Sequence, residues 1–267
     1  MSVQLEGSKV LLTGASGGIG NAIAHALHQR GAWLCVSARR VEILDQLKAE
    51  LGERVDVVRA DLSNASDIQA LVEQAGTVDV LVANAGLPAT GRLELWTPED
   101  LDRAIDVNLR SPMQLARALL PRMLERKAGH IVLISSLAGK IASPSSSVYC
   151  ATKFGLRGFG LALNEELRDS GVGVTTVYPG FIREAGMFAD SGAKLPRGVG
   201  TSTPQEVADA VIEGIERNRA EIDVAPLPMR SGAFLYTAAP SVGAAITRAL
   251  GGGRIAAAIT EGQRDKR

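Results

Sequence analysis

The sequence predicts a single-domain α/β protein, a doubly wound and mostly parallel seven-stranded sheet with helices on both faces, and three observations predict it. Short β-branched runs alternate with helix-length segments over residues 9–219. The runs lack a strict in/out alternation, which is the pattern of strands covered on both faces. Hydrophobic residues make up 46% of the 267 and aromatics only 4%. Such a core is Ala, Val, Ile and Leu packed around abundant glycine, which lets helices lie close on a sheet.

In chain order the strand candidates are residues 9–13, 33–38, 55–60, 78–83, 130–135, 173–178 and 222–225. The helix-length segments between them make right-handed crossovers the economical topology. Thr203, Pro204 and Glu206 read as N-cap, first-turn proline and capping-box acid of a helix running to about Asn218. Ahead of it lies a Gly-containing loop, residues 180–200, of a length that is usually functional. Residues 1–228 are thus expected to form the main body of the domain. Residues 229–267 read as an extension of the same domain.

Composition excludes several classes of function. Twenty-nine basic and 29 acidic residues cancel, so no net field draws the chain to nucleic acid or anionic lipid. Cys35 and Cys150 sit in apolar runs and read as reduced, buried thiols. With no basic stretch and long apolar core at the N-terminus, a cytoplasmic address is the expectation. His25 and His28 lack a third ligand nearby, so no metal is expected. No serine sits in a GxSxG elbow, which disfavours a hydrolase.

After the first strand comes Thr13-Gly14-Ala15-Ser16-Gly17-Gly18-Ile19-Gly20, leading into a helix-like segment. Such glycines permit a tight turn, let backbone N–H groups approach a pyrophosphate, and bring a helix N-terminus to face its charge. At the end of the second strand, where an acid would grip the ribose 2′-hydroxyl of NAD, stand Arg39 and Arg40. Two guanidinium groups suit a 2′-phosphate, with Arg39 the main ligand and Arg40 its helper, so NADP(H) is expected over NAD(H).

Tyr149 and Lys153 are four residues apart, on one face of a helix. A free tyrosine has a pKa of ~10, and bringing it to about 7 takes roughly 4 kcal/mol of differential stabilisation. Lys153 and an oxidised nicotinamide are the expected sources. Ser136 ends the fifth strand, where ligands of open parallel sheets bind, and is placed to donate a hydrogen bond to a substrate oxygen. Ser135 reads as a neighbouring structural contact.

Together these motifs resemble the short-chain dehydrogenase/reductase family of about 250 residues, over roughly residues 5–226. TGASGGIG is similar to its TGxxxGxG turn, Asp61-Leu62 to its adenine contact, Asn84-Ala85-Gly86 to its NAG turn, and Tyr149 to Lys153 to its YxxxK. Ser136 stands 13 residues before Tyr149 and Asn108 matches the family's asparagine. The resemblance implies a Rossmann-type fold, hydride transfer between nicotinamide and a carbonyl or secondary alcohol, and a homodimer or homotetramer. It implies catalytic roles for Asn108, Ser136, Tyr149 and Lys153. It assigns the cofactor Gly14, Ser16, Gly17, Gly18, Ile19, Gly20, Asp61, Leu62, Asn84, Ala85 and Gly86, together with Tyr149 and Lys153, and with Pro179, Gly180 and Ile182 beside the nicotinamide. Residues 1–228 would then be the dinucleotide-binding and catalytic unit, with residues 181–203 as its substrate loop. Glu184 departs from the pattern, standing where the family commonly has threonine, so that threonine's role is not carried over.

Pro112, four residues after Asn108, cannot donate to its carbonyl, so the helix is expected to bend there and leave that carbonyl to hold a relay water behind Lys153. The substrate pocket is expected from residues 87–96, 140–147 and 181–203. Beyond Pro228, Phe234, Leu235 and Tyr236 and the segment 242–250 leave three roles open: a lid, a subunit contact or a membrane-surface helix. The basic end, residues 264–267, reads as a frayed tail. The alternative function is a dinucleotide-binding regulator or scaffold without turnover.

Overall fold

The computed structural model describes residues 3–193, 195, 199–249 and 252–262; the basic end at 264–267 lies outside them. Seven parallel strands run β1 (Lys9–Thr13), β2 (Trp33–Ala38), β3 (Val55–Arg59), β4 (Val80–Ala83), β5 (Gly129–Ile134), β6 (Val172–Pro179) and β7 (Glu221–Val224). They stand in the order β3-β2-β1-β4-β5-β6-β7. The expected strands are all present, with ends shifted by two residues or fewer. The order reverses between β1 and β4, opening a crevice beyond their carboxyl ends.

The missing in/out alternation has a direct cause. Along β1, Val10 and Leu12 pack on one face against α1 (Gly18–Gln29), α2 (Val41–Leu51) and α8 (Pro204–Arg217). Leu11 faces the opposite layer, which is formed by α3 (Ala65–Ala75), α5 (Ser111–Arg126) and α6 (Ser147–Glu166). With both faces dry, neither can be polar.

The helix starts follow from capping chemistry. Asn64 caps α3 by accepting from Ser66 N–H. Thr203 and Glu206 form the reciprocal capping box expected of α8, with Pro204 in its first turn. Asn218 ends α8 in the left-handed conformation.

The expected bend near Asn108 takes a specific form. Between α4 (Pro98–Ile105) and α5 the chain makes one π-helical turn, Asp106–Arg110, which Ser111 N–H closes on the Asp106 carbonyl. Pro112 sits in the first turn of α5, where its missing N–H costs little.

The loop expected at 181–203 is not structureless. Its ends pair through an isolated bridge, Ile182 with Ser202, and it carries a short helix, α7 (Gly186–Ser191). The extension forms α9 (Leu227–Ala238), α10 (Pro240–Ala249) and α11 (Gly252–Gly262), so Pro240 starts a helix instead of lying inside one. Helix α11 packs on α7. A side chain at Gly262 would collide with the Ser191 backbone, so glycine sets how closely the two approach. No helix among the described residues is long and apolar enough to cross a membrane.

Candidate active site

Two adjoining cavities occupy the crevice. The larger, about 530 Å³, is lined by Gly14, Ser16, Gly17, Gly18, Ile19 and Gly20, by Arg39 and Arg40, by Asp61 and Leu62, and by Asn84, Ala85 and Gly86. Every residue expected to bind the dinucleotide outside the nicotinamide end is therefore on its wall. Gly14 has φ 69° and turns the chain from β1, while Gly17 opens α1 with no side-chain cap. That helix start faces an anion with backbone N–H groups alone.

Asn84, on the wall of the cavity, is also tied to the glycine turn. Its Nδ2 donates to the carbonyls of Thr13 and Gly14 at 3.1 Å each, while Thr13 Oγ1 accepts from Asn84 and Ala85 N–H at 3.2 Å. Arg39 and Arg40 are exposed, and Arg40 Nη2 donates to the Ser16 carbonyl at 3.1 Å. Burial alone would raise the Asp61 carboxyl; bonds from the Ser63 hydroxyl and N–H, with Arg103 and Arg39 nearby, hold it below its ordinary value. Uncapped N–H groups, two exposed guanidinium groups and a groove of this volume fit the phosphates of a dinucleotide.

The second cavity, about 380 Å³, shares Ile19, Asn84, Gly86 and Met187 with the first. Ser136, Tyr149, Lys153, Pro179, Gly180 and Ile182 line it. The Ser136 hydroxyl accepts from Ala138 N–H at 3.1 Å, lies 3.4 Å from the Pro179 carbonyl, and is hydrogen-bonded to the Tyr149 phenol. Tyr149 is anchored by its own N–H on the Ala89 carbonyl. Lys153 Nζ donates to the Ile134 carbonyl at 3.0 Å and lies 5.7 Å from the centre of the Tyr149 ring. Ser135, as expected, is structural: its hydroxyl donates to the Lys153 carbonyl.

One expectation changes here. Among the protein groups, Lys153 does not bring the phenol down: burial pushes Tyr149 up to about 12, against the lowering effect of Ser136. The same burial pushes Lys153 down to about 8. Desolvation disfavours the charged form of each.

Asn108 stands behind the site. It lines neither cavity. Its side chain, 1% exposed, clasps the backbone of Leu87: Oδ1 accepts from Leu87 N–H at 2.7 Å and Nδ2 donates to its carbonyl at 3.0 Å. A Cβ placed on Gly86 would stand 3.3 Å from Asn108 Oδ1 and 3.9 Å from Lys153 Nζ, so Asn108 backs the turn that separates it from the cavities. Glu184 lines neither cavity; it has φ 74° and pairs with Arg183 at the exposed surface. Met187 lines the second cavity from the expected loop and Thr247 from the segment left open above, whereas Met229, Ala256 and Ile259 line it without having been expected. Only tertiary packing brings them there.

The sequence matches the short chain dehydrogenase family over residues 8–195. A ketoacyl reductase of Nostoc sp. is 38% identical over 233 residues, covering 84% of this chain and 81% of its own. A short-chain dehydrogenase of Sphingobium yanoikuyae solved with NADPH superposes with a TM-score of 0.73 at 31% identity, covering 90% of this chain and 93% of that one. A 3-ketoacyl-acyl-carrier-protein reductase of Brucella melitensis solved with NADH gives a TM-score of 0.74 at 27% identity, with 83% and 98% covered. The chain belongs to the short-chain dehydrogenase/reductase family and is an oxidoreductase of that family. Its neighbours were solved with both nicotinamide coenzymes, so the preference of this chain has to be read from its own residues.

Proposed function

We propose that this chain is an NADP(H)-dependent oxidoreductase that moves a hydride between nicotinamide and a carbonyl or secondary alcohol, with Tyr149 as acid/base. The observation that carries the reading is the meeting of Ser136, Tyr149 and Lys153 on one wall of a cavity continuous with the dinucleotide groove. Bound in that groove, the coenzyme supplies or accepts the hydride.

The residues around it divide the remaining work. Backbone N–H groups at the start of α1 would hold the pyrophosphate, Arg39 and Arg40 the 2′-phosphate, and Asp61 and Leu62 the adenine. Pro179, Gly180 and Ile182 flank the nicotinamide end. Ser136 donates a hydrogen bond to the substrate oxygen as charge gathers on it, and the protonated Tyr149 phenol delivers the proton that completes reduction. In the reverse direction Tyr149 is the base that takes the alcohol proton. Asn108 is a positioning residue, holding the Gly86–Leu87 backbone in place between groove and Lys153.

Tyr149→Phe tests the reading. NADPH-linked carbonyl reduction should fall by about 10²–10⁴-fold, the usual worth of a positioned acid. NADPH affinity, measured by nicotinamide fluorescence, should be unchanged. A variant that keeps its turnover would remove Tyr149 from the chemistry.

A further inference from the structure

We infer that the substrate is an uncharged, lipophilic ketone, selected by a roof that the C-terminal helix α11 places over the cavity; the inference rests on the hydride-transfer reading above. Among the described residues lining the 380 Å³ cavity, Lys153 alone carries a charge, and its ammonium is engaged with the Ile134 carbonyl. The groups able to handle a reacting oxygen, Ser136 and Tyr149, share one wall. Elsewhere the lining is chiefly apolar: Leu137, Ile141, Phe181, Phe188 and Met229, with the two phenylalanine rings 4.9 Å apart.

Helix α11 completes this surface. Ala256 and Ile259, three residues apart and so on one helical face, both line the cavity, and Thr247 of α10 stands beside them. The close approach of Gly262 to Ser191 fixes α11 against α7, the helix that contributes Met187 and Phe188 to the same cavity. The roof and the substrate loop are therefore one packed unit. A carboxylate or phosphate remote from the reacting carbonyl would lie against Ile259 and the phenylalanines, with no cation but Lys153 among the described lining residues to pair it, and burial of an unpaired charge is strongly unfavourable.

A matched series tests this: 2-decanone, 9-oxodecanoate and its methyl ester, each offered with NADPH to the full-length chain. The ketone and the ester should be reduced with kcat/KM at least tenfold above that of the carboxylate. Ile259→Lys should narrow or reverse that ratio by supplying the missing cation. Ile259→Ala, which keeps the roof uncharged, should retain the tenfold preference while raising KM for 2-decanone. Melting curves of both variants show whether the fold survives. Equal turnover of carboxylate and ester overturns the substrate class and leaves hydride transfer standing, whereas no reduction of any of the three, with NADPH still bound, removes both. A folded Ile259→Lys protein with the wild-type ratio overturns the role of α11.

Discussion

At the scale of single side chains, the proposed coenzyme choice turns on Arg39 and Arg40. Arg40 is partly spent on the Ser16 carbonyl, which leaves Arg39 the freer guanidinium. Removing a charge-assisted hydrogen bond costs about 1.5–3 kcal/mol, so Arg39→Ala should weaken NADPH binding by roughly ten- to a hundredfold and leave NADH binding nearly unchanged in parallel titrations. Lys153 gives a second prediction. Since burial lowers it to about 8, its charge is present below that pH and lost above it. Because kcat/KM reports ionisations of the free enzyme, carbonyl reduction should decline as pH rises through about 8. Lys153→Arg, charged throughout, should abolish that limb wherever it retains activity. Tyr149, pushed up to about 12, stays protonated across the same range and adds no limb of its own. These side chains were legible in the sequence because the glycine turn, the paired arginines and the Tyr149–Lys153 spacing are local patterns. The partner of Asn108 was not, since Leu87 lies 21 residues away and only the folded chain brings the two together.

Elements carry their own logic. The turn that follows Ser136 ends at Lys140, whose ammonium lies 2.7 Å from Asp223 and 3.7 Å from Glu221 on the edge strand β7, and 3.9 Å from the centre of the Tyr178 ring on β6. Glu221 accepts from the Tyr178 hydroxyl at 2.5 Å and pairs with Arg157 of α6. Burial would raise the Glu221 carboxyl, but Tyr178, Lys140 and Arg157 together hold it below its ordinary value. This cluster fastens the Ser136 turn to the sheet. Lys140→Ala leaves two carboxylates without their buried cation, and about 2–4 kcal/mol should be lost in denaturant unfolding, at or below the range for fully buried pairs. Strand and helix identities were readable because dry faces impose apolar runs and capping residues mark helix starts. The arrangement of α9 to α11 was not, because an apolar stretch broken by Pro240 specifies helices without specifying the surface they cover.

The whole molecule responds to acid through a residue remote from the chemistry. His130, fully buried in β5, is pushed down to about 4 by desolvation. Its Nε2 lies 2.8 Å from Thr175 Oγ1, which donates to the Arg219 carbonyl, so His130 is the donor and its neutral Nε2–H tautomer is fixed. The sign follows from linkage: the unfolded chain takes up this proton near 6.5 and the folded one only near 4, so the contribution is whole above 6.5 and drains away as pH falls to 4. On the order of 3 kcal/mol should disappear across that window in denaturant melts. His130→Gln, which retains a donor for Thr175 but cannot titrate, should flatten the acid limb. The π turn at Asp106–Arg110 has a different kind of consequence. It holds one residue more than an α-helical turn, so the chain from Pro98 to Arg126 tolerates no change of length there. Deleting a single residue would heal the turn into one uninterrupted helix, and the rotation of about 100° that follows would swing Asn108 away from Leu87 while the rest of the fold closed around the gap.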